Sequence, residues 1–280
     1  MLDTKAVFIV AIISVLLIIL VSIFAFTKTL SNDIFGYSLG NWEAPFGIVL
    51  VLDQFSILMV LVTSLLAFGA LWYAISEGID KKGAHFHPLF QLQLFGLNGA
   101  FLTGDLFNLF VFFEILLLAS YSLLLHAKGE GRVKAGLHYV VINLVGSTLF
   151  LFAVGTLYGI LGTLNIADLS QKVAQLTPEN VSVVASAGLL LLIVFGLKAA
   201  MFPLYFWLPN AYGKTSAPVA ALFAIMTKVG IYSIIRVHGT IFGQNANELA
   251  FYYTPWVLYI GLITLVLATF GVLSSKELKT

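Results

Sequence analysis

The chain has 280 residues, of which 60% are apolar and only 10% charged, with a mean hydropathy of +1.02. Soluble domains run at about 45–50% apolar and about 25% charged, so a soluble enzyme, a disordered tail and a nucleic-acid binder are all excluded. The 14 basic and 13 acidic residues nearly cancel, and the absence of cysteine removes disulfides, thiol catalysis, thiolate-held clusters and Cys-bearing zinc sites.

A bilayer core of about 30 Å takes about 20 apolar helical residues. Eight stretches meet that length: 6–28, 49–75, 87–104, 107–126, 137–162, 185–208, 217–242 and 252–273. The first is too long for a signal-peptide core and lacks a small-residue cleavage site. The runs do not alternate with period two, which speaks against strands. Only the links 29–48 and 163–184 have room for a small extra helix, and no soluble domain fits anywhere. The predicted fold is an all-α polytopic membrane protein. Residues 1–48 supply the first helix and outer loop, 49–251 the second to seventh helices, and 252–280 the eighth.

Loop charge predicts the orientation. The end of the bundle that holds the N-terminus, side A, carries Lys5, Lys81, Lys82, Lys128, Arg132, Lys134, Lys214, Lys276 and Lys279. The opposite end, side B, carries only Lys28, Lys172 and Arg236. Side A is therefore expected in the cytoplasm, with both termini there.

Two lysines and a glutamate fall deep inside spans: Glu114 in the fourth, Lys198 in the sixth and Lys228 in the seventh. Each such group costs about 2.5–3.5 kcal/mol at the centre of an inserted helix, so three cost on the order of 8–10 kcal/mol uncompensated. They are expected to face the protein interior and to pair or exchange protons. Burial lowers the pKa of a lysine and raises that of a carboxylic acid, which brings both toward neutrality. The functional reading is a proton or cation path. The alternative is an ion pair that only fixes helix register, but one acid cannot neutralise two lysines. Tyr121 and Ser122 lie seven and eight residues beyond Glu114, and Tyr232 four beyond Lys228, where hydroxyls would hold water or simply pack.

The sixth span contains Pro203, five residues after Lys198, and Pro209 near its end. Proline frees a helix carbonyl, and transporters break helices where a charge is held at mid-membrane. Asp105 opens the fourth span and suits a helix cap; His138 stands at the side-A end of the fifth. Both are candidate proton access points. Asp53 is expected at the outer interface, Arg236 and His238 as interfacial anchors, and His85 and His87 as solvated loop residues rather than metal ligands. No phosphate loop, dinucleotide fingerprint or supported catalytic triad occurs. No enzyme activity, cofactor or metal is expected, and no carboxylate cluster suited to a hard cation is visible.

The segments GDLFNLFVFFEILLLASYSLL, LKAAMFPLYFWLPNAYGKTSAPVAALFAIMTKVGIYSIIR and NWEAPFGIVLVLDQFS resemble the D-type subunits of the bacterial Mrp-type multisubunit Na+/H+ antiporters. The wider family includes membrane-arm subunits of respiratory complex I and of membrane-bound hydrogenases. The resemblance runs from Asn41 to Thr280 and is most specific between Lys198 and Arg236. It implies that Glu114 faces Lys198 on a broken helix, and that Lys228 passes protons along the membrane plane. Weakening the Glu114–Lys198 pair would change the lysine's proton affinity and drive a proton to Lys228. Tyr212 stands where complex I relatives carry a histidine, which favours the Mrp D type. The family's two inverted five-helix repeats imply that this chain holds the first repeat, without the leading helix, and is a fragment or split product. The implied protein is a transporter subunit of the bacterial cell membrane, with other antiporter subunits as partners and protons and Na+ as cargo. The alternative is a proton-pumping arm of a complex I-like NADH:quinone oxidoreductase or membrane-bound hydrogenase.

Overall fold

The computed structural model describes residues 4–31, 33–126 and 130–274, with the side chains of residues 4–6 and 130 not described. Lys128, Lys276, Lys279 and the side chain of Lys5, which enter the charge count for side A, lie outside the described residues.

Helix α1 (Thr4–Thr29) runs from side A to side B. A short antiparallel hairpin follows there, β1 (Phe35–Ser38) pairing with β2 (Val49–Leu52). The second apolar stretch thus begins as a strand and becomes helical only at α2 (Gln54–Ser76). The switch is set by Asp53. Its carboxylate accepts the Ser56 N–H at 2.8 Å, and the Ser56 hydroxyl accepts the Asp53 N–H at 2.9 Å. This reciprocal capping box satisfies two donors that a helix start leaves free. A 3-10 turn (Ile79–Lys82) on side A leads to α3 (Phe86–Leu102). Helix α4 (Leu106–Leu125) starts at Asp105, whose carboxylate accepts the Asn108 N–H at 2.8 Å.

Helix α5 (Glu130–Leu161) is the longest, and α6 (Ile166–Val173) is the small extra helix of the 163–184 link. Helix α7 (Pro178–Lys198) stops in mid-bundle, and a stretch of turns carries the chain to α8 (Leu208–Lys214). Helix α9 (Ala217–Ser233) returns to side B and continues through a π turn (Ile234–His238) into α10 (Gly239–Ile241). Helix α11 (Thr254–Ser274) buries none of its residues.

Among the described residues, seven helices are long and apolar enough to cross a membrane. The eighth expected span is α3, whose regular helix is 17 residues long. The core fills the space between α2, α3, α4, α5, α7 and α9, with Phe90, Phe101, Phe113, Phe150 and Phe195 almost fully buried. At side B the links are stitched together: Gly104 N–H donates to the Val49 carbonyl at 2.8 Å, and Leu106 N–H to the Leu164 carbonyl at 2.9 Å. The hairpin, the α3–α4 turn and the α5–α6 link thereby form one layer that fixes where α4 begins.

Candidate functional site

Lys198 is the last residue of α7 and is only 5% exposed. The helix ends there in a Schellman-type closure. Ala200 N–H donates to the Leu197 carbonyl at 3.1 Å and Met201 N–H to the Gly196 carbonyl at 2.8 Å. This closure needs a left-handed residue just past the end, usually glycine. Here it is Ala200, at φ +54°. The break therefore begins right after Lys198 and is made by Ala200. Pro203, expected to break the helix, lies beyond it and is exposed. A helix C-terminus carries a partial negative charge that favours a nearby cation. Trp207 reaches back to the same Leu197 carbonyl as a second donor, its Nε1–H at 3.1 Å. The indole is 1% exposed.

Glu114 sits half-buried on α4, and no direct ion-pair contact joins it to Lys198. The expected pair is instead bridged by α5. Ser147 donates a short hydrogen bond to Glu114, and Lys198 Nζ donates to Asn143 Oδ1 at 3.2 Å. Asn143 and Ser147 are four residues apart, so they project from one face of α5 toward both groups. Asn143 Nδ2 in turn donates to the Tyr139 carbonyl at 2.9 Å, which fixes the amide with its oxygen toward the lysine. The ammonium also lies 5.5 Å above the Phe113 ring, a contact of about 1–2 kcal/mol in a dry site. Lys198, Asn143, Trp207 and Met226 line a cavity of about 10 Å³, room for a single water.

Lys228 does not join this interior. It is exposed on the outer face of α9, with Nζ 3.5 Å from the neighbouring Thr227 hydroxyl. Its helix nevertheless touches the break: a Cβ at Gly230 would lie 2.5 Å from the Ala199 nitrogen. Tyr212 of α8 donates a short bond from its hydroxyl to the Phe223 carbonyl, and the Thr227 hydroxyl bonds its own helix at the Ala224 carbonyl at 2.9 Å. Tyr121 faces the Glu114 carboxylate and packs edge-on against Tyr139, 5.2 Å away. Ser122, expected on the same face, is exposed and bonds its own helix at Leu118.

The other candidates separate. Asp105 is 6% exposed, and its position at the start of α4 makes it the cap of the helix that carries Glu114. Burial raises its pKa above the usual carboxylate value, against the N–H groups of Asn108 and Phe107. His138 is exposed and stacks near Phe206 at 5.8 Å. Arg236 is tied to the protein at the side-B end. Its Nη1 and Nη2 donate to the two Asp53 oxygens at 2.5 and 2.7 Å, and its Nε to the Tyr232 hydroxyl at 3.0 Å. Tyr232 then donates to the Phe101 carbonyl at 2.6 Å and so belongs to this outer clamp rather than to Lys228. Burial by itself would raise the Asp53 pKa, but the hydrogen bonds from Arg236 and Ser56 outweigh it and hold the carboxyl below its usual range. His238 is fully buried, with Nε2 2.9 Å from the Gly188 carbonyl. His87 is paired with Asp80 at 3.2 Å rather than solvated. Among the described residues no group of three His, Cys, Asp or Glu is placed to hold a metal.

Asn143, Ser147 and Trp207 are the site residues that residue-by-residue reading missed. Only polarity at a four-residue interval inside an apolar span marked the first two.

The family described as "NADH:quinone oxidoreductase/Mrp antiporter, TM" matches residues 103–280. A probable K(+)/H(+) antiporter D-type subunit of Rhizobium meliloti is 52% identical over 242 residues, 86% of this chain and 45% of that protein. The D-type subunit of the Na(+)/H(+) antiporter of Alkalihalophilus pseudofirmus is 42% identical over 93% of this chain and 52% of its own length. A chain in the solved Mrp complex of Dietzia sp. DQ12-45-1b superposes with a TM-score of 0.81 at 33% identity, covering 93% of this chain and 47% of that one. The chain spans about half the length of the curated relatives it matches. With the broken helix, its terminal lysine and the glutamate on the facing helix, this match places the chain in the NADH:quinone oxidoreductase/Mrp antiporter transmembrane family.

Proposed function

We propose that this chain carries a proton half-channel of a D-type subunit in a multisubunit monovalent cation/proton antiporter of the bacterial cell membrane, with side A in the cytoplasm. The relay runs from Glu114 through Ser147 and Asn143 to Lys198, and onward to Lys228. One observation carries this reading: a buried lysine at the open end of a broken helix bonds Asn143, and a carboxylate bonds Ser147 one turn further along the same face of α5. A buried group that gains or loses a proton must exchange partners to stay satisfied. Asn143 suits this, because its amide accepts from the charged amine and can donate to the neutral one. When Ser147 turns away from Glu114, the carboxylate is freed to attract a proton, and Lys198 loses part of its counter-charge. The proton then leaves toward Lys228, which lies on the helix packed against the break. Pro203, Asp105 and His138 act at the edges of this path: the first shapes the link to α8, the second positions α4, and the third faces the side-A solvent.

The test is cation-dependent proton flux in everted vesicles from cells expressing the full-length complex, with Na+ and K+ added in parallel. Lys198→Ala and Glu114→Ala are each expected to lower flux at least about 10-fold. Normal flux in both would sink the relay. The family description also covers NADH:quinone oxidoreductase subunits, which favours a second reading as the proton-pumping arm of a redox complex. Flux that follows quinone reduction and ignores both cations would select it.

A further inference from the structure

At side A, three segments that the relay does not use converge on one cluster of titratable groups. They are the 3-10 turn after α2, the start of α3 and the end of α4. A cleft of about 710 Å³ opens there against α1, with Asp80, Lys81, His85 and His87 in its wall. Asp80 and His87 pair at 3.2 Å, with their side chains only 9% and 12% exposed. The remaining polar atom of each, Asp80 Oδ1 and His87 Nδ1, is buried with no hydrogen-bond partner among the described residues. His126 follows α4 directly, is 6% exposed, and rests on the Phe86 ring at 5.1 Å. Neither of its ring nitrogens has a well-formed hydrogen bond among the described residues.

Buried polar atoms without partners are rare and call for an explanation. Here four polar atoms without a well-formed partner among the described residues occur on one carboxylate and two imidazoles, Asp80 and His87 in the cleft wall and His126 behind them against Phe86. Carboxylates and imidazoles are the side chains that most often give and take protons in such positions. His126 meets charge from each element packed on it. Asp80 faces it from the 3-10 turn and Arg132 from α5, while the Gly83 carbonyl approaches its ring. Arg132 also donates a short hydrogen bond to the His126 carbonyl. Burial is the largest influence and lowers the His126 pKa, against the opposing pull of Gly83 and Asp80. A proton on this ring is therefore held loosely and passed on readily. Inward of His126, the same helix bears Ser120, whose hydroxyl is 2.9 Å from the Tyr139 hydroxyl. Tyr139 is the residue whose carbonyl holds Asn143, the partner of Lys198. Tyr139 thus touches both the helix that leads to the cluster and the amide that holds the relay lysine.

We infer that Asp80, His87 and His126 form a proton-exchange port at the side-A mouth, through which protons pass between the cleft and the Lys198 relay. In each transfer an N–H bond forms at a His126 ring nitrogen as the bond to the donor breaks, and the reverse step releases the proton; no electrons move. The inference rests on the relay reading of the Proposed function. Its test uses the same full-length complex in everted vesicles, where side A faces the medium, kept weakly buffered. His126→Ala and His126→Gln are compared with wild type at equal amounts of assembled complex. Both are expected to lower cation-driven proton flux about 10-fold or more, and added imidazole is expected to restore it in a saturable manner while leaving wild type unchanged. Asp80→Asn is expected to show a smaller loss with the same rescue. Wild-type flux in His126→Gln would overturn the inference, and so would a loss that imidazole does not relieve, since a packing defect is indifferent to a mobile buffer. Lys198→Ala serves as the control: if it abolishes flux while His126→Gln does not, only the port fails, and if Lys198→Ala keeps full flux, the relay fails first.

Discussion

Lys198 is held by three features that each act on its charge. The helix end supplies a partial negative charge, Asn143 an oxygen, and Phe113 a π face. Of these, Asn143 is the one that changes partner in the proposed relay. Asn143→Leu keeps the volume and removes the acceptor, and is expected to lower flux at least about 10-fold with the complex still assembled. Fluorescence recovery after cation addition to everted vesicles measures it, and unchanged recovery would show that the amide is dispensable. Ala200 carries the local cost of the break, because a left-handed residue with a Cβ is disfavoured by about 1–2 kcal/mol at its φ of +54°. Ala200→Gly is therefore expected to stabilise the purified protein by about 1 kcal/mol, seen as a higher unfolding temperature in detergent.

At the scale of elements, the contact that matters most is between α9 and the end of α7. Gly230 allows it, since a methyl there would meet the Ala199 nitrogen at 2.5 Å and the Phe195 carbonyl at 2.8 Å. Both are backbone atoms and cannot swing away. Gly230→Ala must push the two helices apart, and overpacking of this kind costs about 1–3 kcal/mol. Lower thermal stability together with reduced flux is expected, whereas Gly239→Ala, which meets nothing within 4 Å, serves as the neutral comparison. The outer end of α9 is tied to α2 by the Asp53–Arg236 pair, which is 18% and 17% exposed. Removing one partner of a largely buried pair costs about 3–5 kcal/mol, so Asp53→Ala and Arg236→Ala should each destabilise strongly and the double variant little more than either. Because the folded-state pKa of Asp53 lies below the usual aspartate value of 3.8, the pair's contribution is full above that value and is lost as pH falls through the lower, folded one. The stability gap between wild type and Asp53→Ala should accordingly close below about pH 4 and stay constant above it. A gap that narrows toward alkaline pH instead would contradict the assignment.

For the whole molecule, the charge bias predicts which end faces the cytoplasm, and these 280 residues add no cysteine of their own to a labelling test. Lys82 and Glu248 are exposed at opposite ends of the bundle. In single-cysteine variants of the full-length protein, an impermeant maleimide should label Glu248→Cys in intact cells and Lys82→Cys only in everted vesicles. The reverse pattern would invert the orientation. The exposed Lys228 also belongs to this scale. A lysine halfway along a membrane helix costs about 2.5–3.5 kcal/mol against lipid, so its face of α9 is expected to meet protein or water in the assembled complex.

Hydropathy alone marked every long helix, because crossing a bilayer demands about 20 apolar residues whatever the neighbours are. The insertion cost also singled out Glu114, Lys198 and Lys228, since a charge inside an apolar run stands out without any knowledge of packing. Composition excluded soluble and thiol chemistry for the same reason. Partner choice was different. The sequence could place Glu114 and Lys198 at similar depth, but the bridge through Asn143 and Ser147 depends on how α5 is rotated between α4 and α7. It could flag Pro203, yet the break is set by a left-handed alanine and a tryptophan hydrogen bond, and neither has a composition signal. Arg236 and His238 looked alike as interfacial residues, and only the π turn sends one to Asp53 and the other into the core. Depth in a membrane is a one-dimensional property that the chain fixes residue by residue, whereas contact across helices is decided by rotation and packing.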